Sequence, residues 1–356
     1  MQVNKKPQGS ARRQHARVTA SDVARLAGVS PMTVSRVING ETSVRQSTRA
    51  AVNRAIKDLG YSPNKAARSL ASANHVQIGL LYTNPSSPYL SAMLFGVLEQ
   101  ARQGDTQIVV VECDEGPDAL KAIHSILQSG VDGILLTPPL ADDQNVLNAL
   151  AESGVLAGTI GTRHPEAPFP SVCIDEYAAA QAMTRHIIAL GHRRIGFITG
   201  HPDHRSTQWR IDGFRDAMRD AGLPVDEQLV VPGQYSYRSG LEAATRLLNQ
   251  DNPPTAIFAS NDDMAAATVA TAHRHNIEVP RDLTVVGFDD TLLATAIWPE
   301  MTTIHQPIAS MAHTAIVLLE KYIRSKRGGP DMGREHLELD FGLVQRQSDA
   351  PPSHPT

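Results

Sequence analysis

A chain of 356 residues is too long for one small domain, so two or three compact units are expected. Its 41% hydrophobic content is enough for real cores and excludes a wholly disordered protein. The net charge of -4 hides an asymmetry: residues 1–75 hold 13 Lys/Arg against 3 Asp/Glu, a net of +10, and the remainder holds 20 against 34, a net of -14. A basic front on an acidic body is the footprint of a protein that touches phosphate with one end. No run of about 18 apolar residues occurs, so no membrane span is expected. The basic N-terminus lacks a following apolar segment, so it does not read as a secretory signal. Cys113 and Cys173 stand far apart with no CxxC partner. A disulfide framework or thiolate metal site is not expected, both read as buried small residues, and a cytoplasmic location fits.

Residues 1–17 are basic and poor in apolar groups, which predicts a disordered arm. The first helix is predicted from Thr19, which has capping-box spacing to Asp22. Val23, Ala24 and Ala27 share its inner face. Gly28 ends it, because the sharp left-handed turn needs a residue without Cβ. Ser30 caps a second helix with Pro31 at its first position, where a missing N–H costs nothing. Val34, Val37 and Ile38 recur at helical spacing and face inward. Pro31, Met32, Thr33 and Arg36 are left to face outward near that helix's N-terminal end, the end that enters the major groove in a helix-turn-helix. Asn39-Gly40 stops the helix, and a third runs from Gln46 to Leu59 before Gly60. Pro63 then breaks the chain, and Asn64 begins an Ala-rich segment of about two turns. That segment is too short to be stable alone.

The run Thr19 to Leu70 resembles the DNA-binding head and hinge of the LacI/GalR family of bacterial repressors. The resemblance extends to about Arg346. It implies a partner in double-stranded, near-palindromic DNA. The contact residues it implies are Thr19, Ser30, Pro31, Met32, Thr33, Ser35, Arg36 and Asn39 in the head, with Asn64, Lys65, Ala67 and Leu70 in the hinge. Leu70 falls where the family wedges a hinge leucine into the central base step.

From Val76 onward, short apolar strands alternate with helices of 10 to 18 residues. The strands are predicted at Val76 to Tyr82, Gln107 to Cys113, Gly133 to Leu136, Val155 to Ile160 and Ser171 to Ile174. A second series follows at Arg194 to Thr199, Leu229 to Val231, Thr255 to Ala259 and Leu283 to Phe288. Such alternation predicts α/β architecture, two doubly wound subdomains of periplasmic-binding-protein type behind the helix-turn-helix head and hinge helix. Thr302 to Gln306 is predicted to cross back to the first subdomain. A helix from Ala309 to Arg324 and a final strand near Leu337 to Val344 complete the body. The expected organisation is a basic arm at 1–17, a head at 18–63, a hinge at 64–75, an effector-binding and dimerisation domain at 76–346 and a disordered tail at 347–356. The tail lacks the leucine heptads of a tetramerisation helix, so a homodimer is expected.

Gly-rich nucleotide loops, HExxH and GxSxG are all absent. No enzyme activity, cofactor or metal is expected, and the pair His201 and His204 is the nearest approach to metal spacing. Ligands in doubly wound sheets sit at strand carboxyl ends. There the chain places Asn261-Asp262-Asp263 and Asp289-Asp290, with Arg210 one turn after Ser206 and Tyr235 in a loop. Each reads singly as a cap, and together they read as a polar crevice. The resemblance implies an effector site at Tyr89, Ser206, Arg210, Tyr235, Asn261, Asp289 and Gln306, and a carbohydrate as effector. Gly161 stands where many family members carry Asp, and Ile308 where some carry an aromatic residue. A bulkier ligand, such as an oligosaccharide, is expected to use that room. The function so implied is an effector-controlled repressor. An activator or dual regulator, or a purine-type corepressor response, is the alternative.

Overall fold

In the computed structural model, residues 18–38, 44–61, 75–83, 86–103, 106–113, 117–162, 169–329 and 335–353 are described. They fall into two compact units, divided between Asn74 and His75. The predicted arm, Asn39, and the hinge positions Asn64, Lys65, Ala67 and Leu70 lie outside the described residues.

The first unit holds α1 (Ala20–Ala27), α2 (Pro31–Ile38) and α3 (Gln46–Asp58). The capping box forms: Thr19 N–H donates to Asp22 Oδ2 at 3.0 Å and Asp22 N–H to Thr19 Oγ1 at 3.4 Å. Gly28 has φ +65°, and the following Val29 N–H returns to the Ala24 carbonyl at 3.0 Å, closing α1. Ser30 Oγ accepts from Thr33 N–H at 3.2 Å, capping α2. Val23, Ala24, Val34, Val37, Val52 and Ala55 form the core.

The second unit contains two six-stranded sheets. The first is built from β1 (Val76–Tyr82), β2 (Thr106–Glu112), β3 (Gly133–Leu136), β4 (Leu156–Ile160), β5 (Ser171–Cys173) and β11 (His336–Glu338), in the order β11-β5-β4-β3-β1-β2. The second contains β6 (Ile195–Ile198), β7 (Val230–Val231), β8 (Ala256–Ala259), β9 (Thr284–Asp289), β10 (Thr302–His305) and β12 (Gly342–Val344), in the order β12-β10-β9-β8-β6-β7. All these pairings are parallel except β10 with β12. The central strands β3, β6, β8 and β9 are buried throughout, as helices on both faces require.

The helices are α4 (Ser87–Gln103), α5 (Pro117–Gln128), α6 (Gln144–Ser153), α7 (Glu176–Ala189), α8 (Arg205–Asp220), α9 (Tyr237–Leu248), α10 (Asp262–Arg274), α11 (Leu292–Ala296) and α12 (Ile308–Lys326). α7 packs on α8 and belongs to the second lobe, whereas α12 packs on α4 and on the first sheet. The chain therefore passes between lobes three times: after β5, after β10, and between β11 and β12.

Three expectations need correction. Thr302 to Gln306 is expected to cross back to the first subdomain, but Thr302–His305 pairs with β9 in the second sheet and the passage comes only after it. The final strand predicted near Leu337 to Val344 is two strands in different sheets, because the chain makes its third passage at residues 339–341. Residues 347–353 of the predicted disordered tail are ordered against the second sheet. Ser348 is fully buried and donates to the Val285 carbonyl at 2.5 Å. Asp349 accepts from His186 Nε2 at 2.7 Å and from Thr302 Oγ1. His192, itself buried, holds the Ala350 carbonyl at 2.9 Å. Polar composition suggests disorder, but these polar side chains have buried partners that no local pattern reveals.

Asp349→Ala leaves the His186 ring and the Thr302 hydroxyl short of a partner. A loss of about 1–3 kcal/mol is expected, read from the denaturant midpoint of the intact chain. An unchanged midpoint would show that the clamp carries no stability.

Candidate functional sites: a helix face and an interlobe crevice

The first candidate is the outer face of α2. Val34 and Val37 are turned into the core, and this leaves Pro31, Met32, Ser35 and Arg36 exposed along one side, with Met32 at 67% exposure. Thr33 is half-buried and hydrogen bonded with Ser30. Thr19 and Ser30 are exposed at the first turns of α1 and α2, where helix N-termini favour anions such as phosphate. The structure thus brings Ser30 to Arg36 to one helix end, with Thr19 at the start of the neighbouring helix.

The second candidate is a crevice between the lobes of the body, with about 390 Å³ of empty space. The first lobe supplies Ser86, Tyr89, Pro138 and Gly161 to its walls. The second supplies Glu176, His204, Ser206, Arg210, Tyr235, Asn261, Asp289 and Gln306. All seven residues expected from the sequence line it.

Arg210 is the charged centre. Its Nε donates to Glu176 Oε2 at 2.7 Å, its Nη1 to the Ser260 carbonyl, and its Nη2 lies 3.8 Å from Asp289 Oδ1. The Phe288 ring lies beneath the guanidinium at 3.6 Å. Burial opposes the Arg210 charge, and the carboxylates of Glu176 and Asp289 more than offset it, holding the guanidinium above its ordinary pKa. Burial also pushes Glu176 and Asp289 up, against the pull of Arg210. Tyr89 is raised by burial and by the Asp289 and Glu176 charges, so it stays a neutral phenol.

Local geometry aims the remaining groups. Tyr235 has φ +55°, and its ring lies where a Cβ on Gly200 would come within 2.0 Å of it. Its hydroxyl sits between Ser206 Oγ at 3.1 Å and Thr207 Oγ1 at 2.9 Å. Asn261 is both a cap and a wall: Oδ1 accepts from Met264 N–H at 3.0 Å, and Nδ2 donates to the Tyr235 carbonyl at 2.9 Å. Asp289 has φ +109° and accepts from Gln306 Nε2 at 3.0 Å. Gln306 Oε1 is buried with no hydrogen-bond partner among the described residues. A buried acceptor without a donor calls for a ligand or a water.

Neighbouring acids have other tasks. Asp262 accepts from Thr291 and Thr303 and braces the sheet. Asp263 accepts from Ser86 Oγ at 2.6 Å across the crevice. Asp142 of the first lobe accepts from Arg205 N–H at 3.2 Å, at the start of α8.

Ser86, Pro138, Glu176 and His204 line the crevice without a local signal that marks them for it. Glu176 begins the helix after the first passage between lobes, and only the tertiary fold brings it beside Arg210. His204 stands at metal-like spacing from His201. Its ring instead packs 5.0 Å from Tyr235, and no group of three metal-binding side chains occurs among the described residues. The expected room at Gly161 is also limited. A Cβ there would lie 3.0 Å from Pro138 Cγ, so the proline fills much of that space.

Residues 19–64 match the description Bacterial regulatory proteins, lacI family, and residues 184–348 match Periplasmic binding protein-like domain. Catabolite control protein A of Priestia megaterium is 35% identical over 313 residues, covering 87% of this chain and 93% of its own. The chain belongs to the lacI family of bacterial regulatory proteins. The HTH-type transcriptional repressor PurR of Photobacterium profundum is 33% identical, covering 93% of this chain and 98% of its own. Among solved structures, the lac repressor dimer bound to operator and the anti-inducer ONPF superposes with TM-score 0.81 at 27% identity, over 94% of this chain and 100% of that one. The complex of the transcriptional regulator CelR with cellobiose gives TM-score 0.70 at 32% identity, over 93% and 100%. As a lacI-family member, the protein is a DNA-binding transcriptional regulator. These relatives are regulators rather than enzymes. No helix among the described residues is long and apolar enough to cross a membrane.

One outcome concerns pH. Burial lowers the His204 pKa to about 4, from an ordinary 6.5. The folded state then binds fewer protons than the unfolded chain, so this contribution is complete above pH 6.5 and is lost as pH falls towards 4. By pH 5 the loss amounts to about 2 kcal/mol. Denaturant midpoints at pH 7 and pH 5 should converge for wild type and His204→Gln at the lower pH. Parallel profiles would rule out a buried neutral imidazole.

Proposed function

We propose that the protein is a homodimeric repressor whose operator binding is controlled by an uncharged saccharide in the crevice. The observation that carries this reading is the crevice wall itself. Phenol, hydroxyl and amide groups converge from both lobes around a neutralised guanidinium, with the Gln306 Oε1 acceptor unpaired. Sugar hydroxyls supply donors and acceptors at this density, and Tyr89, Tyr235 and His204 supply ring surfaces. Carbohydrate appears in the same fold in the CelR–cellobiose complex. A purine response is the second reading, supported by the likeness to regulators named PurR.

The exposed α2 face supports major-groove reading by Arg36 and its neighbours. The family resemblance supports a hinge in which Asn64, Lys65, Ala67 and Leu70 meet the minor groove. Ligand closure between the lobes would bias the dimer towards one DNA-binding state. Phe95 (74% exposed) and Leu98 (55%) lie one turn apart on α4, with Leu292 (82%) and Trp298 (74%) exposed on the second lobe. These apolar surfaces support pairing with a second copy. A regulator acting on operator DNA works in the bacterial cytoplasm.

Calorimetry with cellobiose, with a monosaccharide and with a purine base tests the effector class. Saturable saccharide binding is expected; tight purine binding without saccharide binding would defeat the reading. In gel shifts, Arg36→Ala should relax base preference at a cost of about 1–3 kcal/mol. Leu70→Ala should weaken operator binding far more than binding to unrelated DNA, and equal losses on both would remove the wedge.

A further inference from the structure

Among the described residues, Arg210 is the only permanent cation lining the crevice, and its charge is already taken up by the protein. An anion is best held by the paired N–H edge of a guanidinium. Here the Nε position goes to Glu176, Nη1 to the Ser260 carbonyl, and Nη2 approaches Asp289. Phe288 covers one face. Of the five N–H groups of an arginine, two are hydrogen bonded within the protein, and the two on Nη2 face the Asp289 carboxylate. The lining charges are Glu176, Asp289 and Arg210, since buried His204 is neutral at pH 7. They sum to -1 with both acids ionised, and to 0 with either one protonated. A positive crevice would need both acids protonated at once, and the guanidinium beside them opposes that.

The wall is also rich in acceptors. Gln306 is 97% buried, given its 3% exposure, and its Oε1 lacks a donor where the side chain lines this space. The Nε2 end of the same amide donates to Asp289, which fixes Oε1 as the end left over, and that orphan acceptor calls for an O–H or N–H from a ligand.

We propose that Glu176 is a specificity-determining residue: by neutralising Arg210 it opens the crevice to uncharged, hydroxyl-bearing ligands and closes it to phosphorylated or carboxylated ones. The ligand class rests on the carbohydrate reading above; the charge filter is testable without it. Glu176 Oε2 lies 2.7 Å from Arg210 Nε, and both side chains are almost fully buried. At that depth the pair is weakly screened, so its loss is felt by any charged ligand nearby.

The test uses inorganic phosphate as probe, on the intact chain at pH 7 and fixed ionic strength. Glu176→Gln keeps an acceptor for Arg210 Nε while removing the charge, and adding Asp289→Asn removes a second. With both acids ionised the lining charge then steps from -1 to 0 to +1, and with one of them protonated in the wild type it rises by a single step from 0 to +1. Phosphate affinity, by calorimetry, should rise about tenfold or more at each step, from no saturable binding in wild type. Equal phosphate affinity across the folded series would overturn the proposal. If the variants do not fold, the wild type still decides: binding of glucose 6-phosphate as tight as that of an uncharged sugar would overturn it, and rejection of the phosphate ester beside binding of the uncharged sugar would support it. Phosphate gain in the variants with no saccharide bound by wild type would retire the carbohydrate reading and leave the filter standing.

Discussion

A guanidinium placed out of water must be neutralised and hydrogen bonded where it sits, or the site does not form. Arg210 meets that demand with groups from three places in the chain. Glu176 comes from the start of α7, the Ser260 carbonyl from the end of β8, and Asp289 from the end of β9. The order of the second sheet sets β8 and β9 side by side, so their carboxyl ends deliver these acceptors together. Tyr235, Asp289 and Asp290 all adopt positive φ around this centre. Such conformations cost about 1–3 kcal/mol each and persist where the surroundings over-determine them. Arg346 does part of that work, pairing with Asp290 at 2.5 Å from the C-terminal segment.

The three passages between lobes make the crevice a mechanical part as well as a chemical one. Each lobe contains segments from distant parts of the sequence, so neither is an independent bead on a string. Across the gap, Ser86 bonds to Asp263 and Asp142 to the start of α8. A ligand that adds bonds between the same walls favours one disposition of the lobes over another. Hinge motion of this kind is a common route from a small-molecule site to a distant surface.

The head is held together differently. It has a small valine and alanine core, and its definition comes from caps at Thr19, Gly28 and Ser30. With so few buried contacts, the two inward valines of α2 also decide which residues face out. The presentation of Arg36 and Met32 is therefore a consequence of core packing.

Much of this is legible in the amino-acid order, because it depends on neighbours a few residues apart. The capping box, the glycine stop, the inward face of α2 and the alternation of apolar strands with helices are local patterns. They determine the head, the doubly wound class and most strand positions to within a residue or two. The seven crevice residues follow from strand-end position and family resemblance, and they do converge. What the tertiary structure alone decides involves partners far apart in the chain. Glu176 and Arg210 are 34 residues apart, His186 and Asp349 are 163 apart, and Ser86 and Asp263 are 177 apart. No periodicity encodes such pairs. For this reason the tail reads as disordered in sequence, the last strand reads as one, and nothing local marks Glu176 as the partner of Arg210. Local sequence specifies which element forms. The burial of charge, which depends on everything the fold brings near, specifies what the element is for.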